Sequence, residues 1–118
     1  MFYQSYWIPQ AFFYRQQDSP FPPVDISYFQ QALTSYQTLL EHGSIIVNSL
    51  VSSPEKMRQL MDAAQASDDA EVDRIIRETG VPTVVETSYS PTGVTFTLRD
   101  EAAGIPCCTL TMYIRWGF

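Results

Sequence analysis

Along residues 82–118, apolar and polar side chains alternate, which is typical of β-strands with one buried face. The stretch "TVVETSY" leads through the turn residues "SPTG" to "VTFTLR", and the loop "DEAAGIP" leads to a last strand that starts at two cysteines. The pattern predicts three short strands in an antiparallel meander. The predicted inward positions are Val94, Phe96, Leu98, Leu110, Met112, Ile114 and Trp116.

Residues 25–80 instead repeat apolar residues every three or four positions, which predicts helices with one apolar face. Asp25 or Ser27 is suited to cap a first helix, and Gly43 marks a point where that helix bends or breaks. The apolar positions of this helix are Phe29, Ala32, Leu33, Tyr36, Leu39, Leu40, Ile46, Val47 and Leu50.

Two shorter helices are predicted to follow. Ser52 with Glu55 fits a capping box, or else Ser53 caps the second helix with Pro54 at its first position. The acidic stretch "SDDAEVD" begins a third helix at the end where the helix dipole favours negative charge, and Gly80 suits its end. Three helices followed by three strands predict an α+β fold with the helices on one face of the meander.

Residues 1–24 differ in composition from the remainder and hold half of the aromatic residues of the chain. Pro20, Pro22 and Pro23 favour an extended connector, so we expect an aromatic, proline-rich N-terminal arm ahead of a single α+β domain over residues 25–118. The arm packs either on its own domain or on a neighbouring subunit. Its aromatic residues are Phe2, Tyr3, Tyr6, Trp7, Phe12, Phe13, Tyr14 and Phe21.

Length and charge narrow the possible partners. A chain of 118 residues is long enough for one domain with a substantial core. The net charge of -6, with Lys56 as the single lysine, argues against a nucleic-acid partner, because such binding needs clustered basic residues. The sequence contains no run of 18 apolar residues, so it predicts no membrane span. Its first residues lack the pattern of a secretory signal, and we therefore expect synthesis in a cytosol.

The sequence offers no recognisable catalytic or metal-binding motif. The single histidine, His42, lies within the first predicted helix without a nucleophile, a carboxylate or further ligands at suitable spacing. The acidic stretch "SDDAEVD" lacks the spacing of a calcium loop, and the five glycines are too scattered for a phosphate-binding loop. We therefore predict no catalytic residue, no metal and no cofactor, and a protein that is not an enzyme.

The adjacent cysteines, Cys107 and Cys108, form the most distinctive pair in the chain. Strict alternation along the strand predicts that Cys108 lies in the buried row and Cys107 on the opposite face. Either both are reduced structural residues, or Cys107 is available for a bond to another chain. The pair does not have the spacing of a redox enzyme, and we treat both residues as candidate cross-link sites.

The chain as a whole resembles the small inner spore coat proteins of Bacillus-type endospore formers. The most specific matching pieces are the helix pair with "AAQ" and "VDRII" and the hairpin "YSPTGV", followed by the closing "CCTLTMYIRWG". The likeness covers roughly residues 25–118, and the arm is similar mainly in composition. The resemblance implies synthesis in the mother-cell cytoplasm and deposition in the coat as a structural component, and it carries over no catalytic residue.

These observations predict a protein that assembles with itself and with other spore coat proteins. Its sparse charge and aromatic arm favour assembly, and disulfide formation through the cysteine pair would lock the assembly after the mother cell lyses. The main alternative is a soluble binding module with a pocket between helices and sheet for a small molecule or peptide. An enzyme is a third interpretation, which would require His42 and an acidic residue buried together in a cleft.

Overall fold

The computed structural model describes residues 22–117 and confirms the predicted α+β fold. Three helices precede a three-stranded antiparallel sheet with the strand order β1-β2-β3. The elements are α1 (Ser27–Val51), α2 (Pro54–Gln65), α3 (Asp69–Arg77), β1 (Glu86–Ser90), β2 (Gly93–Ala102) and β3 (Ile105–Arg115).

The starts of α2 and α3 follow the capping signals in the sequence, whereas the predicted cap of α1 at Asp25 or Ser27 is wrong. The N-cap residue of α1 is Ile26, and its side chain makes no capping hydrogen bond. Before α1, the Asp25 carboxylate accepts hydrogen bonds from the Ser27 N–H at 2.9 Å and the Ser27 hydroxyl at 2.6 Å. These bonds lower the pKa of Asp25. Ser53 caps α2 by accepting from the Lys56 N–H, with Pro54 at the first position, so the second of the two predicted starts is the one adopted. Asp68 caps α3, which confirms a capping role within the acidic stretch.

The first hairpin joins β1 and β2 through the two residues between Ser90 and Gly93, as the turn signal predicts. The inward positions of β2 are confirmed, because Val94, Phe96 and Leu98 are all buried. The prediction that "TVVETSY" is a strand throughout is wrong in its first half, since pairing begins only at Glu86. Ahead of that residue the alternation of burial continues without pairing to β2.

The second hairpin is tighter than the sequence predicts. In place of a loop over "DEAAGIP", β2 extends to Ala102 and β3 begins at Ile105, so only Ala103 and Gly104 connect them. Both residues have positive φ, 53° and 75°, which is typical of the two-residue turns that match the twist of a hairpin. The sequence did not predict this turn, because glycine and asparagine are the usual residues at its first position, which Ala103 occupies.

The core lies between the helices and one face of the sheet. It unites the buried side of α1 with apolar residues of α2, α3 and the inward rows of β2 and β3. Its members are Leu39, Ile46, Leu60, Ala63, Val72, Ile75, Ile76, Val94, Phe96, Leu98 and Cys108. The helices thus cover one face, while the opposite face of the sheet carries mainly threonine, serine and charged residues.

Close packing of α1 on β3 occurs at Gly43, where the helix continues unbroken, so the break that the sequence allowed for does not occur. A Cβ atom at this position would lie 3.0 Å from Leu110 Cδ2 and 3.0 Å from Met112 Sδ. Three hydroxyl groups of α1 add hydrogen bonds to the sheet. Ser35 donates to the carbonyl of Glu101 and Tyr36 to that of Thr109, both at 3.0 Å, and Tyr28 donates to that of Ile105 at 3.4 Å. Glycine is therefore the residue that permits this helix to approach the strand.

Replacing Gly43 tests this close approach. We expect Gly43→Val to lower the free energy of unfolding by about 1–3 kcal/mol, because added methyl groups overpack the contact with Leu110 and Met112. Urea denaturation monitored by circular dichroism measures the change. Ser44→Val, at the next and exposed position of α1, is the matched control and should shift stability by no more than about 0.5 kcal/mol. Equal effects of the two substitutions would contradict the packing described.

Two substitutions in the second hairpin should change the free energy of unfolding in opposite directions. We expect Ala103→Asn to raise the free energy of unfolding by about 1 kcal/mol, because asparagine tolerates positive φ better than alanine. Gly104→Ala should lower it by about the same amount for the converse reason, although no atom lies within 4 Å of the added Cβ. Thermal denaturation of both variants checks the signs, and two changes in the same direction would refute the turn assignment.

Candidate functional site

The eight aromatic residues predicted to form an assembly arm all lie outside the described residues 22–117. They are Phe2, Tyr3, Tyr6, Trp7, Phe12, Phe13, Tyr14 and Phe21. Their role therefore stays a prediction, and the candidate sites within the described part of the chain are the cysteine pair, the exposed apolar side chains and one cleft.

The cysteine pair lies at an irregularity in the pairing of β2 with β3. Asp100 pairs with Cys108 and Glu101 pairs with Pro106, so Cys107 is an extra residue on β3, as in a β-bulge. The structure joins Cys107 and Cys108 to each other in a disulfide. The expectation that Cys108 lies in the buried row is confirmed. The expectation that Cys107 lies on the opposite face is wrong, because the bulge interrupts the strict alternation and Cys107 packs against the core.

The surroundings of the two cysteines still differ in depth. Cys108 is buried beneath α1, with its Sγ 3.3 Å from the carbonyl oxygen of Ala32, whereas Cys107 is half-buried near the end of the sheet. No thiol is free within the described residues. A bond to another chain would therefore start by exchange at the Cys107 sulfur, which is the more accessible of the two.

Charge is distributed very unevenly over the described residues. Helices α2 and α3 together carry nine charged side chains, whereas α1 carries only Glu41 and β3 only Arg115. The polar positions of α1 are filled by glutamine, serine, threonine and asparagine in place of charged residues. A long exposed helix normally carries charge on its solvent side, so α1 and β3 form an unusually uncharged region of the surface.

Large apolar side chains are exposed in the same region. We define the α1 stripe as Phe29, Leu33, Leu40, Val47 and Val51, which follow each other at helical spacings of four and seven residues. They are between 40% and 68% exposed. On β3, Ile105, Tyr113 and Ile114 are exposed to a similar degree. The part of the chain with the least charge thus also displays much of its apolar surface.

Sequence reasoning placed all apolar positions of α1 on one buried face and so missed the stripe. The structure divides them, with Leu39 and Ile46 in the core and Leu33, Leu40 and Val47 exposed. The apolar positions of α1 span an arc that is too wide for a single contact surface. Together with the presence of only one charged residue, Glu41, this width was the signal in the sequence that part of the apolar surface stays exposed.

An open cleft of about 650 Å³ lies between the end of α2 and the β1–β2 hairpin. Arg58, Met61 and Trp116 contribute to its lining. Tyr89, which also lines it, donates a hydrogen bond from its hydroxyl to the Asp69 carboxylate, and this bond raises the pKa of Tyr89. The cleft offers apolar walls and a few polar groups to a small ligand.

His42 and the acidic residues do not converge on a site in the described part of the chain. His42 is half-buried on α1, and its Nδ1 atom has no hydrogen-bond partner. Within residues 22–117, no three histidine, cysteine, aspartate or glutamate side chains are grouped so that they could hold a metal ion. Over the same residues, no helix has the length and apolar character needed to cross a membrane.

Comparison with known proteins gives one family and one relative. Residues 26–109 match the family described as YuzC spore coat inner layer protein. The chain is also 24% identical over 103 residues to the uncharacterized protein YuzC of Bacillus subtilis (strain 168), covering 87% of this chain and 80% of that protein. No solved structure matches the chain. The resemblance to small inner spore coat proteins is thereby confirmed.

Proposed function

Because the chain belongs to the family of YuzC spore coat inner layer proteins, we propose that it is a non-enzymatic structural subunit that builds the coat by self-assembly. Its location is the spore coat. The observation that carries the proposal is the coincidence of exposed apolar side chains with an almost uncharged surface on α1 and β3. Surfaces of this kind mark contacts between proteins, because the centres of interfaces are depleted of charge.

The aromatic N-terminal arm supplies a second adhesive element in this proposal. Residues 1–24 are nearly free of charge apart from Arg15 and Asp18, and aromatic side chains contribute large apolar areas at contacts. The described chain begins at Pro22, only a few residues before α1, so the arm is attached at the same end of the domain as Phe29. Arm and α1 surface would together hold subunits to one another and to other coat proteins.

Disulfide exchange at the cysteine pair would lock an assembly once it has formed. Because both cysteines of each copy are already joined, the attacking thiolate comes from another coat protein. It attacks the Cys107 sulfur, the bond between Cys107 and Cys108 breaks, and Cys108 leaves as a thiolate that takes up a proton. One disulfide is lost and one is formed, so the step needs no oxidant. The half-buried position of Cys107 and the buried position of Cys108 favour attack at Cys107.

A binding module is the second candidate function, and the open cleft beside Trp116 and Tyr89 is the observation that favours it. Such a protein would remain a monomer and would bind a small molecule or a peptide between α2 and the hairpin. The two functions differ in how mass depends on concentration, because only an assembling protein grows as it is concentrated.

Self-assembly predicts that the mass of the protein depends on its concentration. We expect the mass of the full chain, measured by sedimentation velocity over a concentration series, to rise with concentration. The mass should fall at each concentration when residues 1–24 are removed, because the arm adds aromatic contact area. A chain that stays monomeric throughout, with or without the arm, would contradict self-assembly and favour the binding module.

The second prediction concerns the lock. We expect Cys107→Ser to make the protein more readily extracted from purified spore coats without reductant, because the exchange at this sulfur is lost. Addition of reductant should abolish the difference between variant and native chain. Thr109→Ser, on the same strand, is the matched control and should extract like the native protein. Unchanged extraction of Cys107→Ser would refute cross-linking through this residue.

A further inference from the structure

We propose that two copies of this chain associate about a two-fold axis at the free edge of β3, which joins their sheets into six strands and packs α1 against α1 of the second copy. This inference rests on the proposed self-assembly and names the surface that would perform it. Three observations support it. The backbone N–H and C=O groups at the outer edge of β3 point away from the sheet, the α1 stripe lies on the same side of the molecule, and the middle of the stripe lies beside the middle of that edge.

The outer edge of β3 has no partner strand among the described residues. The two-residue turn after Ser90 makes Ser90 and Gly93 a hydrogen-bonded pair, so Val94, Phe96 and Leu98 direct their backbone groups toward β3. Their partners on β3 are the even-numbered residues. The odd-numbered Thr109, Thr111 and Tyr113 consequently point their N–H and C=O groups away from the sheet.

Pro106 and the bulge at Cys107 lie at the start of β3, and beyond them the residues of this edge do nothing to prevent pairing. From Cys107 to Ile114 the strand "CCTLTMYI" contains no proline and no charged residue. Natural proteins usually guard an exposed edge with lysine, proline, a short strand or a covering segment. By contrast, β1 at the opposite edge has only five residues and begins with Glu86. The two edges therefore differ, and β3 is the one open to a further strand.

The α1 stripe lies on the same side of the molecule as this edge. Ser35 reaches the carbonyl of Glu101 on β2, whereas Tyr36 reaches the outward carbonyl of Thr109 on β3, so the Tyr36 side of the helix faces the β3 edge. Leu33 and Leu40 lie three residues before and four after Tyr36, on the flank of the helix beyond it. The stripe and the strand edge form one continuous surface.

A single two-fold axis can relate both the two β3 strands and the two α1 helices. Helix α1 runs in the same direction as β3, since Tyr28 contacts Ile105, Tyr36 contacts Thr109, and Gly43 lies against Leu110 and Met112. Leu40, near the middle of α1, therefore lies beside Leu110 and Thr111, near the middle of the free edge. Antiparallel pairing of β3 with its copy about this point brings the two stripes together in antiparallel orientation.

The area available is sufficient for a specific contact. From their exposed fractions, the five stripe residues offer roughly 500 Å² on each copy, so two copies would bury about 1,000 Å² before the strand contact is added. That total reaches the lower range of specific interfaces. Because Glu41 and Arg115 are the only charged residues on α1 and β3, little charge must be desolvated.

Sedimentation of full-length variants tests the interface. We expect Leu40→Glu to raise the dissociation constant of the dimer at least tenfold, because it places two like charges near the axis. Thr38→Glu adds the same charge at an exposed position on the opposite side of α1 and should leave the constant unchanged. Thr111→Pro removes an outward N–H without removing a bond to β2 and should also weaken the dimer at least tenfold.

The outcomes separate this interface from the proposed function. Loss of association in Leu40→Glu and Thr111→Pro but not in Thr38→Glu, with native circular dichroism throughout, supports the two-fold dimer. If both variants associate like the native chain while removal of residues 1–24 abolishes assembly, this interface is refuted and self-assembly stands through the arm. If the native chain is a monomer at every concentration, both the interface and the proposed function fail.

A photo-cross-linking residue at position 40 provides an independent readout. Benzophenone-alanine in place of Leu40 should join two copies, and peptide mapping should place the product within α1 of the second copy. Products that map to residues 1–21 would show that the aromatic arm covers the stripe and would overturn the proposal. Incorporation in place of Thr38, on the opposite flank, is the control and should yield no cross-linked dimer.

Discussion

Packing of α1 along β3 is the contact on which the remaining structure depends. The helix approaches the strand at Gly43, where Leu110 and Met112 occupy the space that a side chain would need. Ser35 and Tyr36 bond to backbone carbonyls on either side of the helix axis and so set its rotation. That rotation decides which apolar residues enter the core and which remain on the surface. A helix fixed over an edge strand cannot bury both of its apolar flanks.

The placement of α1 over β3 also determines how charged and apolar residues are distributed over the surface. Helices α2 and α3 carry half of the charged residues of the described chain and complete the core with Leu60, Val72, Ile75 and Ile76. The α1 and β3 side has little charge and displays the stripe beside an unpaired strand edge. One side of the domain is therefore suited to solvent and the other to protein. This asymmetry fits the family of inner spore coat proteins, whose members are named for a layer rather than for a reaction.

Local signals predicted the elements well, and long-range effects account for the errors. Capping by Ser53 and Asp68 and alternation around Phe96 could be read directly, because each depends on neighbours in the sequence. The turn at Ala103 was missed because alanine rarely adopts positive φ, and the disulfide because a bulge at Cys107 interrupts the alternation. Exposure of the α1 stripe depends on how far a three-stranded sheet extends beneath the helix, which periodicity does not reveal.

Hydrogen exchange along β3 tests most directly whether its outer edge is the assembly surface. The amides of Leu110 and Met112 bond to β2 and should exchange slowly at every protein concentration. The amides of Thr111 and Tyr113 point outward, and we expect them to exchange rapidly in dilute protein and slowly in concentrated protein. If the outward amides exchange rapidly at concentrations where the protein is assembled, the edge of β3 is not where the copies meet.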